Sequence, residues 1–248
     1  MGDSFTEGVG DDLPSGGLRG WADLVALGLA AEAATDASVA PFSYANLAIR
    51  GKLLRPIVEG QLEPAMDLTP DLLSLCGGGN DVMRPKVEIA GVVALLDQVV
   101  ERALSQGVHV LMLTGANPTK HLPLGTLIQR RGDRLADAAR SAFSQRPGVT
   151  YVDNWLDPEL TGARYWSPDR LHLNALGHAR VAANVLAALG AAVPPEFAGA
   201  AAPEPSSRVR TPAYYREHVL PWIGRRLSGR SSGDGRSAKR PELAPVTL

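Results

Sequence analysis

Short apolar runs alternate along the chain with longer segments of helical periodicity. Four runs have the length of a strand and are bounded by Gly, Pro, Asn or Asp, as buried strands usually are: residues 44–49, 72–76, 108–113 and 149–152. Between and around them lie five segments with a helical pattern, in which apolar residues recur every three or four positions or, in residues 127–143, polar residues predominate. These segments are residues 21–29, 53–62, 92–104, 127–143 and 176–189. Strands that are apolar throughout need cover on both faces, so the pattern predicts an α/β fold with a parallel sheet.

Composition divides the 248 residues into three parts. Residues 1–195 carry these patterns, and we expect them to form one domain. Residues 196–227 begin as a linker rich in Ala, Pro, Ser and Glu and continue into a last helix, which Thr211 can cap and Pro221 should kink. Residues 228–248 are rich in Gly, Ser, Arg and Pro, and we expect them to be disordered because such a composition buries no core.

Charge and composition exclude several classes of protein. The formal net charge is −1, so we expect neither a nucleic-acid partner nor strong binding to anionic membranes. The single cysteine, Cys76, excludes an intrachain disulfide framework. No apolar run is long enough to span a bilayer, and the N-terminus lacks the basic and apolar regions of a secretory signal. We therefore expect a cytoplasmic protein with no stable membrane anchor.

Residues able to carry chemistry lie close to the predicted strand ends, where sites form in open α/β sheets. Gly51 follows the first strand, and Asn80 lies in a Gly-Gly-Gly-Asn-Asp run after the second. Asp169 and His172 precede the last helix of the domain, and Ser4 lies at the N-terminus. A serine, a histidine and an aspartate can act as nucleophile, base and orienting group, while backbone amides and an asparagine can stabilise an oxyanion.

These four blocks stand in the order found in the SGNH hydrolases, also called GDSL-type esterases and lipases, which residues 1–189 resemble. Ser4 matches the Gly-Asp-Ser block, and Gly51 matches the glycine block. Asn80 matches the asparagine block, and Asp169 and His172 match the final Asp-x-x-His block. Any one block occurs often by chance, but four in order are a specific signal.

The resemblance implies both a fold and an activity. The fold is the SGNH hydrolase fold, a flavodoxin-like three-layer sandwich with a five-stranded parallel sheet. The activity is hydrolysis of a small-molecule carboxylic ester through a triad of Ser4, His172 and Asp169. The resemblance also implies oxyanion donors on the Ser4 and Gly51 amides and the Asn80 side chain, with no cofactor and no metal.

The chain departs from the family at its N-terminus. Members carry an apolar strand directly before the Gly-Asp-Ser block, whereas here that block starts at Gly2. We therefore expect the first strand to be truncated, which would leave backbone groups of its neighbours unpaired at a cost in stability. An upstream extension would then add stability and activity, unless another segment fills the gap.

Other interpretations of the site stay open at this point. Ser4 taken alone could be a turn residue or a helix cap. An acyltransferase would use the same residues with an acceptor other than water, and a binding protein would use the pocket without turnover. The sequence alone does not separate these alternatives.

Several neighbouring residues are expected to have structural roles. The acidic residues at positions 3, 7, 11 and 12 predict a solvated loop more readily than a metal site, because no histidine or cysteine accompanies them. His178 is expected to pack against or cap a helix, and His109 and Cys76 to lie in the core. Asp81 is expected to anchor the loop that holds Asn80.

Overall fold

Of the five strands in the described part of the chain, four fall on the predicted apolar runs. The computed structural model describes residues 1–123, 125–198, 211–228 and 230–248. Its strands are β1 (Ser43–Asn46), β2 (Leu72–Cys76), β3 (His109–Leu113), β4 (Val149–Val152) and β5 (Arg240–Pro245). Only β5 lies outside the apolar runs of the sequence.

The helices alternate with the first four strands, as the periodicity predicts. They are α1 (Ser4–Glu7), α2 (Trp21–Ala33), α3 (Leu54–Asp67), α4 (Gly79–Val82), α5 (Ile89–Leu104), α6 (Gly125–Phe143), α7 (Ala175–Leu189), α8 (Pro212–Tyr214) and α9 (Leu220–Leu227). Among the described residues, no helix is long and apolar enough to cross a membrane.

The parallel sheet of the described residues has three strands, in the order β2-β3-β4, rather than five. β1 is not part of this sheet and pairs instead with β5, while the first two residues of the chain lie between β2 and the segment that follows β1. Gly2 pairs with Cys76 in a parallel bridge, and the Met1 ammonium donates to the Ser74 carbonyl at 2.8 Å. On the other side, the Ile49 amide donates to the Gly2 carbonyl at 3.2 Å.

Alternate residues of the strands face two separate apolar layers. Val110 and Met112 of β3 pack with side chains from α3, α5 and α6. Leu111 and Leu113 of the same strand pack with side chains from α2 and α7. A sheet covered on both faces by helices is the three-layer α/β arrangement that the uniformly apolar strands predict.

The C-terminal residues correct the prediction that 228–248 are disordered. β5 pairs antiparallel with β1, with Tyr44 opposite Ala244. Lys239, just before β5, donates from Nζ to the Asp23 carboxylate at 2.6 Å. A composition poor in apolar residues rules out a buried core but not β5, which is largely exposed and is held by backbone hydrogen bonds to the edge of β1.

The last helix begins as predicted. The Thr211 side chain accepts a hydrogen bond from the Tyr214 amide at 3.2 Å, and Pro212 occupies the first turn. A π-helical turn, Tyr215–Val219, precedes Pro221, which has no N–H for a regular helical hydrogen bond. Of the predicted linker 196–210, the residues up to Ala198 belong to a 3₁₀ turn, and 199–210 lie outside the described residues.

Candidate active site

The five site residues predicted from the sequence line one cavity of about 470 Å³, here called the outer cavity: Ser4, Gly51, Asn80, Asp169 and His172. They come from the turn into α1, the loop after β1, helix α4 after β2 and the loop before α7. The carboxyl ends of β2 and β3 point towards these segments, as expected for a site in an open sheet.

Ser4, His172 and Asp169 form a hydrogen-bonded chain. His172 Nε2 lies 3.1 Å from Ser4 Oγ, although the two residues are 168 positions apart. His172 Nδ1 lies 2.6 Å from Asp169 Oδ2. A carboxylate only accepts, so Nδ1 carries the hydrogen and Nε2 is free to accept the Ser4 proton. This is the arrangement that activates a serine hydroxyl as a nucleophile.

The loop before α7 holds the Asp169 carboxylate in place. Its Oδ1 accepts hydrogen bonds from the backbone amides of Leu171 and His172, both at 3.0 Å, and from Ser167 Oγ at 2.8 Å. Burial by itself would raise the pKa of Asp169, but the hydrogen bond and charge of His172 outweigh burial and lower it. Asp169 is therefore ionised at neutral pH and faces the imidazole as an acceptor.

Ser4 lies in the first turn of α1. Asp3 caps this helix by accepting the Phe5 amide at 3.0 Å. The Ser4 amide has no intrahelical acceptor because Ser4 is the first residue of the helix. Gly2 has φ = +155°, and a Cβ there would lie 2.7 Å from the Cys76 carbonyl oxygen. A glycine is needed before Asp3 because the chain passes this close to the end of β2.

Gly51 lies in a left-handed conformation, with φ = +73°. Among the described residues, no group accepts a hydrogen bond from its amide. Its carbonyl accepts Ser231 Oγ at 3.1 Å, and a Cβ at Gly51 would lie only 2.4 Å from that oxygen. The C-terminal segment thus packs directly on the loop that carries Gly51.

Asp3, Glu7 and Asp11 of the acidic run are buried and only Asp12 is exposed, which corrects the prediction of a solvated loop. Glu7 accepts the Arg50 amide at 2.6 Å and pairs with the Arg50 guanidinium at 2.6 Å. Asp11 pairs with Arg19 at 2.9 Å. Buried carboxylates need such partners, which the acidic run alone does not reveal. In the described part of the chain, no cluster of three or more His, Cys, Asp or Glu side chains could hold a metal ion.

Asn80 lies in the short helix α4, with both hydrogens of its amide engaged. Its Nδ2 donates to Asp3 Oδ2 at 2.9 Å and to the Lys52 carbonyl at 3.0 Å. Burial raises the pKa of Asp3 to about 6, so this acceptor is mostly ionised at neutral pH. The next residue, Asp81, accepts the Leu54 amide at 2.9 Å and so ties α4 to the start of α3, as predicted.

The remaining candidates have structural positions. His178 is buried, with Nδ1 accepting the Trp21 amide at 3.2 Å and Nε2 donating to the Val9 carbonyl at 3.3 Å, as predicted for a capping residue. Burial lowers the pKa of His178 to about 4. Cys76 is buried as predicted, and burial raises the pKa of its thiol well above the usual range. The prediction for His109 is wrong, because its side chain is exposed at the start of β3.

Two groups of residues at the site were not predicted from the sequence. Tyr214 of α8 donates from its hydroxyl to the Asp169 carbonyl at 3.4 Å, and Arg170 lies over its ring at 4.5 Å from the centroid. Ser231 and Ser232 line the outer cavity beside Gly51. The sequence predicted a last helix after the linker, but nothing in it indicated where this helix contacts the domain.

Residues 1–180 match the GDSL-like lipase/acylhydrolase family. The chain belongs to this family. It is accordingly a carboxylic ester hydrolase, and its substrates are small-molecule esters. No curated protein sequence matches the chain.

Solved structures of esterases and lipases share the fold of this family member. The lipase Lip_vut3 from a goat rumen metagenome has 17% identity and a TM-score of 0.58, covering 75% of this chain and 94% of its own. LAE5, an α/β hydrolase from the metagenome of Lake Arreo, Spain, has 22% identity and a TM-score of 0.55, covering 76% and 92%. The acetylxylan esterase Axe2 from Geobacillus stearothermophilus has 22% identity and a TM-score of 0.54, covering 76% and 91%. At these identities, the likeness concerns the fold alone.

Proposed function

We propose that the protein hydrolyses carboxylic esters through an acyl-enzyme formed on Ser4. One observation carries the proposal: His172 lies between Ser4 Oγ, at 3.1 Å, and the Asp169 carboxylate, at 2.6 Å. A histidine bonded on both sides in this way has a defined tautomer and a defined direction of proton transfer.

In the first half of the reaction, Ser4 Oγ attacks the ester carbonyl carbon while His172 Nε2 takes the hydroxyl proton. Asp169 stabilises the imidazolium without taking its proton. The carbon–oxygen bond to the alcohol then breaks, and Nε2 gives its proton to the departing alkoxide. The acyl group remains on Ser4.

In the second half, water enters from the outer cavity. His172 removes a proton from this water as it attacks the acyl carbon, and then returns a proton to Ser4 Oγ. The acid is released and the starting state is restored. These steps require no metal and no cofactor.

Three donors are proposed to hold the oxyanion: the Ser4 amide, the Gly51 amide and Asn80 Nδ2. The two amides have no protein acceptor among the described residues. Asn80 already donates to the neutral Lys52 carbonyl. An anionic oxygen on the carbon that Ser4 attacks competes with this carbonyl, because a charged acceptor forms the stronger hydrogen bond.

Labelling with a fluorophosphonate tests the proposal, together with hydrolysis of nitrophenyl acetate. We expect the wild-type protein to be labelled at one serine and Ser4→Ala to be neither labelled nor active. Ser38→Ala, which changes an exposed serine, should behave as wild type. Labelling that survives in Ser4→Ala, or a wild type that is neither labelled nor active, would overturn the proposal. Release of free acid in the presence of an added alcohol distinguishes hydrolysis from acyl transfer.

A further inference from the structure

A second cavity, here called the inner cavity, meets the outer cavity at the nucleophile. Ser4, Asn80 and His172 line both cavities. From them, the inner cavity runs towards the core and has a volume of about 120 Å³. Its deep walls include Met112 of β3 and Ala136 of α6. An ester with its carbonyl carbon at Ser4 can therefore extend one substituent into each cavity.

The deep walls of the inner cavity are held by side chains that contact one another. Trp155 packs against Gly132 of α6, where a Cβ would lie 2.1 Å from the indole ring. The indole Nε1 donates to Asp133 at 2.8 Å, which fixes the ring plane. The space is thus part of the folded structure and does not need a side chain to move before it can be filled.

The deep lining offers a ligand hydrocarbon contacts and no unpaired polar side chain among the described residues. The Tyr151 hydroxyl donates to the Ala136 carbonyl at 3.4 Å. Thr114 Oγ1 accepts the Trp155 amide at 2.9 Å and donates to Asp153 at 3.2 Å. A polar ligand group placed there would lose its water without gaining a partner, which is costly. An alkyl chain would lose nothing.

The order of the chemical steps decides which part of the ester, the acyl chain or the alcohol, enters which cavity. The alcohol must leave, and water must reach the acyl carbon, while the acyl group is still attached to Ser4. The outer cavity is the larger of the two, and its lining includes the exposed C-terminal segment. The alcohol and the water therefore use the outer cavity, and the acyl chain occupies the inner one.

We infer that the inner cavity binds the acyl chain of the substrate and selects chains of roughly four to six carbons, since an apolar cavity of about 150 Å³ holds a benzene molecule. The inference rests on the proposed hydrolysis at Ser4 and names the substrate class of that site. Acetyl groups leave most of the inner cavity empty, and chains of ten carbons exceed it.

The first test measures kcat/KM for nitrophenyl esters of acetate, butyrate, hexanoate and decanoate with the wild-type protein. Each buried methylene favours binding by roughly fourfold, so butyrate and hexanoate should exceed acetate by about tenfold or more. Decanoate should fall below hexanoate. Acetate as the best substrate, or a steady rise through decanoate, would overturn the inference.

The second test fills the deep end of the inner cavity. In Ala136→Leu, exclusion of about three methylenes should lower kcat/KM for hexanoate by on the order of fiftyfold, and for acetate by much less. Ala142→Leu is the matched control, because it adds the same side chain to an exposed position of α6. Ala136→Val, with a smaller added volume, should reduce the hexanoate to acetate ratio to an intermediate extent. Thermal unfolding of all three variants identifies any that do not fold.

The outcomes separate this inference from the proposed function. A folded Ala136→Val with the chain-length profile of Ala142→Leu would overturn the acyl assignment while leaving hydrolysis at Ser4 intact. A wild-type protein that hydrolyses none of the four esters would overturn the proposed function itself. Loss of hexanoate activity with retained acetate activity supports both.

Discussion

Asn80 donates a hydrogen bond from Nδ2 to the carboxylate of Asp3, the residue before Ser4, at 2.9 Å. The same nitrogen donates to the Lys52 carbonyl at 3.0 Å. The amide nitrogen of Asn80, and not its oxygen, is thereby directed towards the turn that carries Ser4. Asp3 thus orients a proposed oxyanion donor as well as capping α1.

Replacing Asp3 tests this orienting role. In Asp3→Asn, the new amide can still accept the Phe5 amide, but its nitrogen then faces Asn80 Nδ2, donor against donor. We expect kcat to fall about tenfold with KM little changed, because a misdirected donor costs on the order of 1–3 kcal/mol. Steady-state kinetics with a nitrophenyl ester measures the split.

Asp36→Asn is the matched control for Asp3→Asn. Asp36 also accepts the backbone amide two residues further on, at 2.9 Å, but lies in an exposed turn. It should retain wild-type kcat. If Asp3→Asn did the same, Asp3 would have only its capping role.

Removing the Asn80 side chain tests the oxyanion donor itself. We expect Asn80→Ala to lower kcat by roughly a hundredfold to a thousandfold, because a donor aimed at developing charge acts mainly in the transition state. The measurement is kcat and KM for one ester. An increase confined to KM would make Asn80 a substrate-binding residue instead.

The nucleophile and the base should be equally indispensable. Ser4→Ala and His172→Ala are each expected to lose at least about a thousandfold in kcat, because the two groups act as a unit. The double variant should lose little more than either single one. His109→Ala changes an exposed histidine and serves as the control. Either single variant with a tenth of wild-type turnover would contradict the triad.

Gly51 should not tolerate a side chain. In Gly51→Ala, the Cβ would lie 2.4 Å from Ser231 Oγ, and φ = +73° is strained for alanine. The loop must shift, and we expect kcat to fall at least about tenfold as the Gly51 amide leaves its position. Gly16→Ala separates strain from crowding, because Gly16 has φ = +83° with no atom within 4 Å of its Cβ. Wild-type kcat in Gly51→Ala would rule out an oxyanion role for this amide.

His178 should make the fold sensitive to acid. Its folded pKa of about 4 lies below the ordinary value of 6.5, so between these pH values the unfolded state binds a proton that the folded state does not. The stabilisation that neutral His178 contributes is fully present above about pH 6.5 and is lost as the pH falls towards 4. From pH 7 to pH 5, the free energy of unfolding should drop by about 2 kcal/mol from this group.

Urea unfolding at pH 7 and pH 5 measures this dependence. His178→Gln keeps a donor and an acceptor but does not titrate, so its stability should fall less between the two pH values. His109→Gln should keep the wild-type slope. Equal slopes in all three proteins would mean that His178 does not titrate in the unfolding reaction.

Much of the fold could be predicted from local pattern. Residues 72–76 and 149–152 were predicted as strands with the bounds that β2 and β4 have. Buried strands of a parallel sheet are apolar on both faces, and this pattern is contained in a few consecutive residues. The five candidate site residues could be chosen because four short blocks resemble those of the SGNH hydrolases in the same order, and each block is a local feature of the sequence.

The tertiary structure decided what depends on contacts between distant segments. That Glu7 pairs with Arg50, and that Asn80 reaches Asp3, follows from how loops meet at the end of the sheet. The placement of β5 beside β1 was equally hidden, because backbone hydrogen bonds on an exposed edge make little demand on composition. The inner cavity is the clearest case. Its lining brings together residues of α4, α5, α6, β3 and β4, so its volume depends on how these elements pack rather than on the sequence of any one of them.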